Sequence, residues 1–213
     1  MESFEMLLYI LKGLQLTMTL YGITIFLSLP LGLLLALGAC GKNVILKNFI
    51  ATFTWVFRGT PLLLQLFFVY YGLPVLGFSL SPLNAASLTF GVNYAAYLTE
   101  IFRGGIESIE KGQYEASYVL GLNYFQTMKN IVLPQSIKNV LPSLGNEAIT
   151  LVKDTALISA LGMGEILRNS RELVSTRFTI VPFILCALIY LVLSSVIVSL
   201  FKHIENNYAK GMR

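Results

Sequence analysis

Five stretches of this chain run for about 20 residues or more with few charges, the length that crosses a bilayer as a helix. They are Leu14–Ala39, Phe49–Gly72, Leu83–Phe102 (where Arg103-Gly104-Gly105 is expected to stop the helix), Val140–Leu161 and Phe178–Phe201. In hydrocarbon no water satisfies the peptide groups, so each span must close its own backbone hydrogen bonds as a helix. The expected fold is therefore an all-α, polytopic membrane protein with five transmembrane helices. Composition agrees: 55% of the 213 residues are hydrophobic and 12% charged, where soluble domains carry roughly a quarter. The chain holds several spans but no large soluble domain, and has no repeat, low-complexity tract or linker, so one domain over 1–213 is expected. Glu2 and Glu5 stand where a signal peptide would be basic, and no A-x-A site follows. The first run is read as a retained span.

The net charge of +4 comes from residues scattered between apolar runs. No basic patch suggests nucleic acid; the charges read as a topology signal. With the N-terminus outside, the inner side holds Lys42, Lys47, Arg58, Arg103, Lys111, Lys129, Lys138, Lys202, Lys210 and Arg213. The outer side holds Lys12, Arg168, Arg171 and Arg177. The C-terminus and the loop over about 103–138 are then cytoplasmic. Cys40 and Cys186 have neither disulfide nor metal-site spacing. His203 lies in a polar tail and reads as a surface residue.

The longest polar stretch is "EASYVLGLNYFQTMKNIVLPQ", Glu115–Gln135. Its apolar residues are placed for two short helices, Tyr114–Leu120 and Tyr124–Val132. Gly121 breaks the first, Asn123 caps the second, and Pro134 is expected to end it. That shape suits docking into a cleft of another protein.

Glu115-Ala116-Ser117, three residues, Gly121, nine residues, then Ile131-x-Leu133-Pro134 resembles the EAA loop of ABC importer permeases. Ser117 in place of the second alanine is the one departure. "FRGTPLLLQLFFVYYGLP", "EIFRGGIESIEKGQYEA" and "LGNEAITLVKDTALIS" resemble the permeases for polar amino acids, so the likeness covers most of the chain. It implies a type I ABC importer transmembrane fold in the bacterial plasma membrane. It also implies a coupling helix carrying Glu115, Ala116, Ser117, Gly121, Leu133 and Pro134. The implied partners are two ATP-binding cassette ATPase subunits, a second permease subunit (homo- or heterodimeric), an extracellular solute-binding protein and an amino acid. The chain itself is not expected to be an enzyme or to hold a cofactor. Around Gly41-Lys42-Asn43, Ala36 and Asn43 replace the first glycine and the Ser/Thr of a Walker A loop. ATP and Mg are expected on the partner ATPase.

Polar groups inside spans are costly, and so mark pathways or internal networks. Glu147, Thr150 and Asp154 share one helix face by spacing, with Asn146 near and Lys153 flanking. That face either lines the pathway or forms a network in which Lys153 pairs with an acid. Asn93, Tyr97 and Glu100 share a face of the third span, and Arg58 and Glu100 are expected to form a structural ion pair. Thr60-Pro61 reads as N-cap and first helical residue. The second span is then broken at Gly59-Thr60, aiming free amides at a substrate carboxylate; a simple proline kink is the other reading. Candidate substrate residues are thus Thr60, Asn93, Tyr97, Glu147, Thr150 and Asp154. With Arg58 held by Glu100, the surplus acid favours a basic amino acid such as arginine, lysine or histidine. The alternatives are glutamine or another solute, or a membrane subunit that transports nothing. Met163–Phe178 is amphipathic and outside, either an interfacial helix or a docking surface.

The charge bias predicts that a tag after Gly112 is inaccessible to impermeant reagents on intact cells and that a tag near Arg171 is accessible. The reverse labelling pattern would overturn this topology.

Overall fold

The computed structural model of the chain describes residues 2–210. Arg213, counted above among the inner basic residues, lies outside the described residues. Among those described, every regular element is helical: α1 (Glu2–Leu11), α2 (Leu14–Cys40), α3 (Val44–Gly59), α4 (Leu62–Phe67) and α5 (Pro82–Glu107) come first. Then follow α6 (Lys111–Val119), α7 (Tyr124–Thr127), α8 (Leu133–Asp154), α9 (Ile166–Arg177) and α10 (Val181–Lys210).

Two segments, Ser3–Cys40 and Val181–Tyr208, are long and apolar enough to cross a membrane. A third combines α3 with Leu62–Leu76, bent through 100° at the break. The expected spans in α5 and α8 are less apolar, and position explains it. The bundle encloses α5, whose buried residues include Ala85, Ala86, Thr89, Gly91, Asn93, Ala95, Ala96 and Thr99. A helix surrounded by other helices needs small side chains for close approach rather than a greasy surface for lipid.

The contact of α2 with α5 is the most extensive in the molecule. The buried stripe of α2 is Thr17, Leu20, Thr24, Ser28, Gly32 and Ala36. A Cβ at Gly32 would come within 2.7 Å of the Leu98 Cβ. Leu20, Leu66, Phe90, Tyr94, Leu151 and Ile158 form the central cluster against this pair. Ile106, Ile109, Met128 and Val132 form a second at the α5–α7 end, and Ile10, Ile166 and Cys186 a third at the α1–α9 end.

Three local expectations are corrected. First, Arg103-Gly104-Gly105 does not stop α5. Arg103 bonds Glu100 and Glu107 on its own helix at 2.7 and 2.6 Å, pairs at helical spacing that favour continuation. Gly105 is a contact point: a Cβ there would collide with Val140 of α8. Second, Thr60 is not the N-cap of the segment after the break. It closes α3, its hydroxyl donating to the Val56 carbonyl at 2.8 Å, and Pro61 takes the N-cap position. Third, Pro134 does not end the loop helix. A wider π turn, Met128–Val132, carries the chain from α7 straight into α8, with Pro134 in its first turn. The wider turn makes room for it: the Leu133 amide reaches back five residues to the Met128 carbonyl just ahead of the proline.

The loop between the helices is otherwise as its residues suggest. Asn123 and Gln126 form a reciprocal capping box at 2.9 Å. Gly121 sits at φ +74°, and the Leu122 amide returns to the Ser117 carbonyl at 3.0 Å, a glycine-closed helix end. The sequence reading missed α1 as a separate helix. It packs on α9 and α10, and the turn at Gly13 lies so close to the backbone of Glu165 and Ile166 that a Cβ has no room.

Gly32→Leu and Gly105→Val should each destabilise the protein by roughly 1–3 kcal/mol through overpacking. A detergent melting curve should show a lowered midpoint. An unchanged midpoint in both would mean that these helices do not meet as closely as described.

Candidate functional site

Pro61 has no N–H, so the carbonyl of Phe57, four residues earlier, loses its helical partner. A buried carbonyl must find another donor, and two amide side chains supply it. Gln65 Nε2 donates to the Phe57 oxygen at 2.9 Å, and Asn93 Nδ2 of α5 donates to the same oxygen at 2.8 Å. Asn93 Nδ2 also reaches Gln65 Oε1 at 3.0 Å, and Gln65 Nε2 reaches Thr60 Oγ1 at 2.7 Å. The break between α3 and α4 is latched, not loose. Gln65 was not singled out from sequence, although a lone amide in "LLLQLFF" was a usable signal.

Beside this latch opens a cavity of about 370 Å³, lined by residues of α3, the break, α4, α5 and α8. Thr60, Asn93, Tyr97, Glu147, Thr150 and Asp154 all line it. The structure thus brings the six candidate substrate residues to one place, though with different duties. The Asn93 amide nitrogen is spent on the latch. Thr60 donates to its own helix. Thr150 Oγ1 lies 3.1 Å from the Asn146 carbonyl. Glu147 accepts no hydrogen bond among the described residues. Asp154 Oδ2 accepts from Tyr94 Oη at 2.8 Å. Tyr94 also lines the cavity and was missed, because a tyrosine in a span carries no spacing signal of its own.

The expected Arg58–Glu100 pair is present but long, at 3.9 Å. Arg103 is the closer partner: its Nη2 and Nε meet Glu100 Oε2 at 2.7 and 3.2 Å, and Thr54 Oγ1 takes Oε1 at 3.1 Å. Lys153 is exposed and makes no ion pair among the described residues, so the internal network proposed for it is absent there.

The coupling-loop candidates form a second site. Ser117 is buried with its hydroxyl on the Gln113 carbonyl at 2.6 Å, so a small residue is needed there. Glu115 and Ala116 are exposed, Leu133 is half-buried and Pro134 exposed. Around Gly121 the loop exposes Tyr118 (83%), Val119 (84%), Leu120, Tyr124 and Phe125. A contiguous apolar patch of this kind on a polar loop marks an interaction surface.

At the other end, α9 begins at a fully buried carboxylate. Glu165 accepts from the amides of Leu167 and Arg168 and from Tyr190 Oη at 3.1 Å. Burial pushes its carboxyl above the ordinary range, while these three donors pull it back. The start of α9 is therefore pinned to α10, with Arg168, Arg171 and Arg177 on its exposed face.

Comparison with known proteins places these features in a family. Residues 28–210 match the family described as binding-protein-dependent transport system inner membrane component. The arginine transport system permease protein ArtQ of Bacillus subtilis (strain 168) is 40% identical over 202 residues, covering 92% of this chain and 91% of that protein. The putative glutamine transport system permease protein GlnP of Rickettsia felis (strain ATCC VR-1525 / URRWXCal2) is 37% identical, covering 96% and 94%. A crystal structure of an amino acid ABC transporter with histidines superposes with a TM-score of 0.86 at 32% identity, covering 93% of this chain and 94% of that one. The MetNI methionine ABC transporter in an inward-facing form shares the fold, with a TM-score of 0.79 at 20% identity over 96% and 98% of the two chains. With most of its length matched, this chain belongs to the family of binding-protein-dependent transport system inner membrane components.

Proposed function

We propose that the chain is the permease subunit of an ATP-driven amino acid importer, with a basic amino acid such as arginine, lysine or histidine as its favoured substrate. The cavity beside the α3–α4 break carries this reading. It has the size of a small solute, and its lining includes two carboxylates, Glu147 and Asp154. One carboxylate suffices for the α-amino group that every amino acid has. A second suits a cationic side chain, since a buried charge left unpaired costs several kcal/mol. Thr60, Tyr97, Thr150 and Asn93 Oδ1 offer neutral contacts around them.

The proposed topology is five spans, with the N-terminus outside and the C-terminus inside. Residues 1–213 then form one transmembrane domain. The inner loop docks on two ATPase subunits, which bind ATP and Mg and carry out hydrolysis. A second permease subunit and an extracellular solute-binding protein complete the assembly. Its exposed aromatic patch around Gly121 supports the docking role, and the helical continuity from that patch to α8 supports coupling to the cavity. Import then proceeds by alternating access. Glutamine is a specific second reading, favoured by the glutamine-named relative: there one acid takes the α-amino group and the other stays protonated or hydrated.

The substrate arm is tested by uptake with arginine and glutamine in competition. Glu147→Gln and Asp154→Asn should each lower arginine uptake relative to glutamine by at least about tenfold, the loss of one modest charge interaction. An unchanged ratio in both would make the acids structural and favour the neutral substrate.

The coupling arm uses Gly121→Val, which forces a β-branched residue to φ +74°, and Glu115→Lys. Both proteins should insert but lose most ATPase co-purification or ATP-dependent uptake. Normal docking and uptake in both would remove the coupling role.

A further inference from the structure

We infer that Arg58, rather than backbone amides at the helix break, binds the α-carboxylate of the transported amino acid. This rests on the cavity being the amino acid site, and extends it to a residue that the sequence had assigned to structure. Arg58 is the single cation among the residues lining the cavity, opposite Glu147 and Asp154. One cation and one anion match the two charges of a zwitterion, and Pro61 at the break contributes no amide, so the carboxylate falls to the one cation of this lining.

Arg58 is also unspent. Glu100, its expected partner, is already held by two Arg103 nitrogens and by Thr54. At 3.9 Å the Arg58 guanidinium lies outside hydrogen-bond distance of it. No other side-chain hydrogen bond engages Arg58 among the described residues, and its side chain is 43% exposed. It is nonetheless held in position. The guanidinium stands 5.4 Å from the centroid of the Tyr97 ring, and Tyr97 Oη donates to the Arg58 carbonyl at 3.4 Å. A cation–π contact of this kind keeps the guanidinium beside the ring without consuming its N–H donors. A free guanidinium edge matches a carboxylate through two parallel hydrogen bonds. Glu100 is near enough to temper the charge when the cavity is empty, and too far to compete once a carboxylate arrives.

The test is equilibrium binding to the permease–ATPase complex in nanodiscs, with the solute-binding protein left out so that its own selectivity does not intrude. The probes are L-arginine against agmatine, which is arginine without its carboxylate, and L-glutamine against 4-aminobutanamide, its counterpart. Wild type should prefer each amino acid over its decarboxylated partner by at least about tenfold, the discrimination expected for a charge-assisted pair. Arg58→Gln should bring that ratio close to one, and Arg58→Lys should restore part of it. A merely structural role would weaken both members of each pair alike and leave the ratio intact. A preserved ratio in Arg58→Gln therefore overturns the assignment while leaving the cavity reading in place. Failure of wild type to bind any of the four probes would overturn the cavity reading, and the Arg58 assignment with it.

Discussion

The carbonyl of Phe57, orphaned by Pro61, is the point on which the site depends. A carbonyl turned in against neighbouring helices cannot be left bare without a cost. Asn93 from α5 and Gln65 from beyond the break both turn to it. In doing so they tie α3 and α4, neighbours across the break, to α5, whose Asn93 lies 36 residues beyond Phe57. The 100° bend is held by these amides, and the cavity is the space the bend leaves between α3, α5 and α8. Without Pro61 the helix would run straight and fill that space. Without Asn93 the Phe57 carbonyl would lose its tie to α5, leaving the packing of Leu66 against Phe90 and Tyr94 to hold the bend.

The second constraint is the closeness of α2, α5 and α8. Gly32 and Gly105 remove side chains where neighbouring helices press hardest, and a row of alanines and threonines lets α5 pass through the middle. That placement brings Tyr94 and Asn93 within reach of α8 and of the break. It also explains how a helix bearing Glu100, Arg103 and Glu107 is tolerated: its charges pair with one another along the helix.

Helix positions, the break, the glycine bend and the capped loop helix were legible because each has a local cause. Apolar length gives α2 and α10, Pro61 the break, Gly121 the left-handed residue and Asn123 the cap. Helical spacing singled out Asn93, Tyr97, Glu147, Thr150 and Asp154, and the proline break singled out Thr60; the packed structure puts them in one cavity. What spacing could not supply was partnership. Glu100 has two arginines at suitable depth, and only the packed structure shows that Arg103, one turn away, takes it first. Likewise Asn93 looked free for a substrate until the orphaned carbonyl claimed its nitrogen. The stop expected at Arg103-Gly104-Gly105 failed for a related reason: glycine breaks an exposed helix, but inside a bundle it serves a neighbour.

The unbroken run from Tyr124 through α8 to Asp154 makes the exposed aromatic patch and the cavity carboxylates two ends of one rod. At 1.5 Å per residue the rod is about 45 Å long. Over that distance a tilt of a few degrees at one end moves the other by a bond length or more. Two joints interrupt its stiffness: the π turn Met128–Val132 and Pro142. The stretch beyond Pro142 carries Glu147, Thr150 and Asp154 as a unit, so motion arriving from the Tyr124 end would shift all three together. The three side chains would then move past Arg58, Asn93 and Tyr97 on the facing walls in concert, and the cavity would change shape in a single step rather than residue by residue.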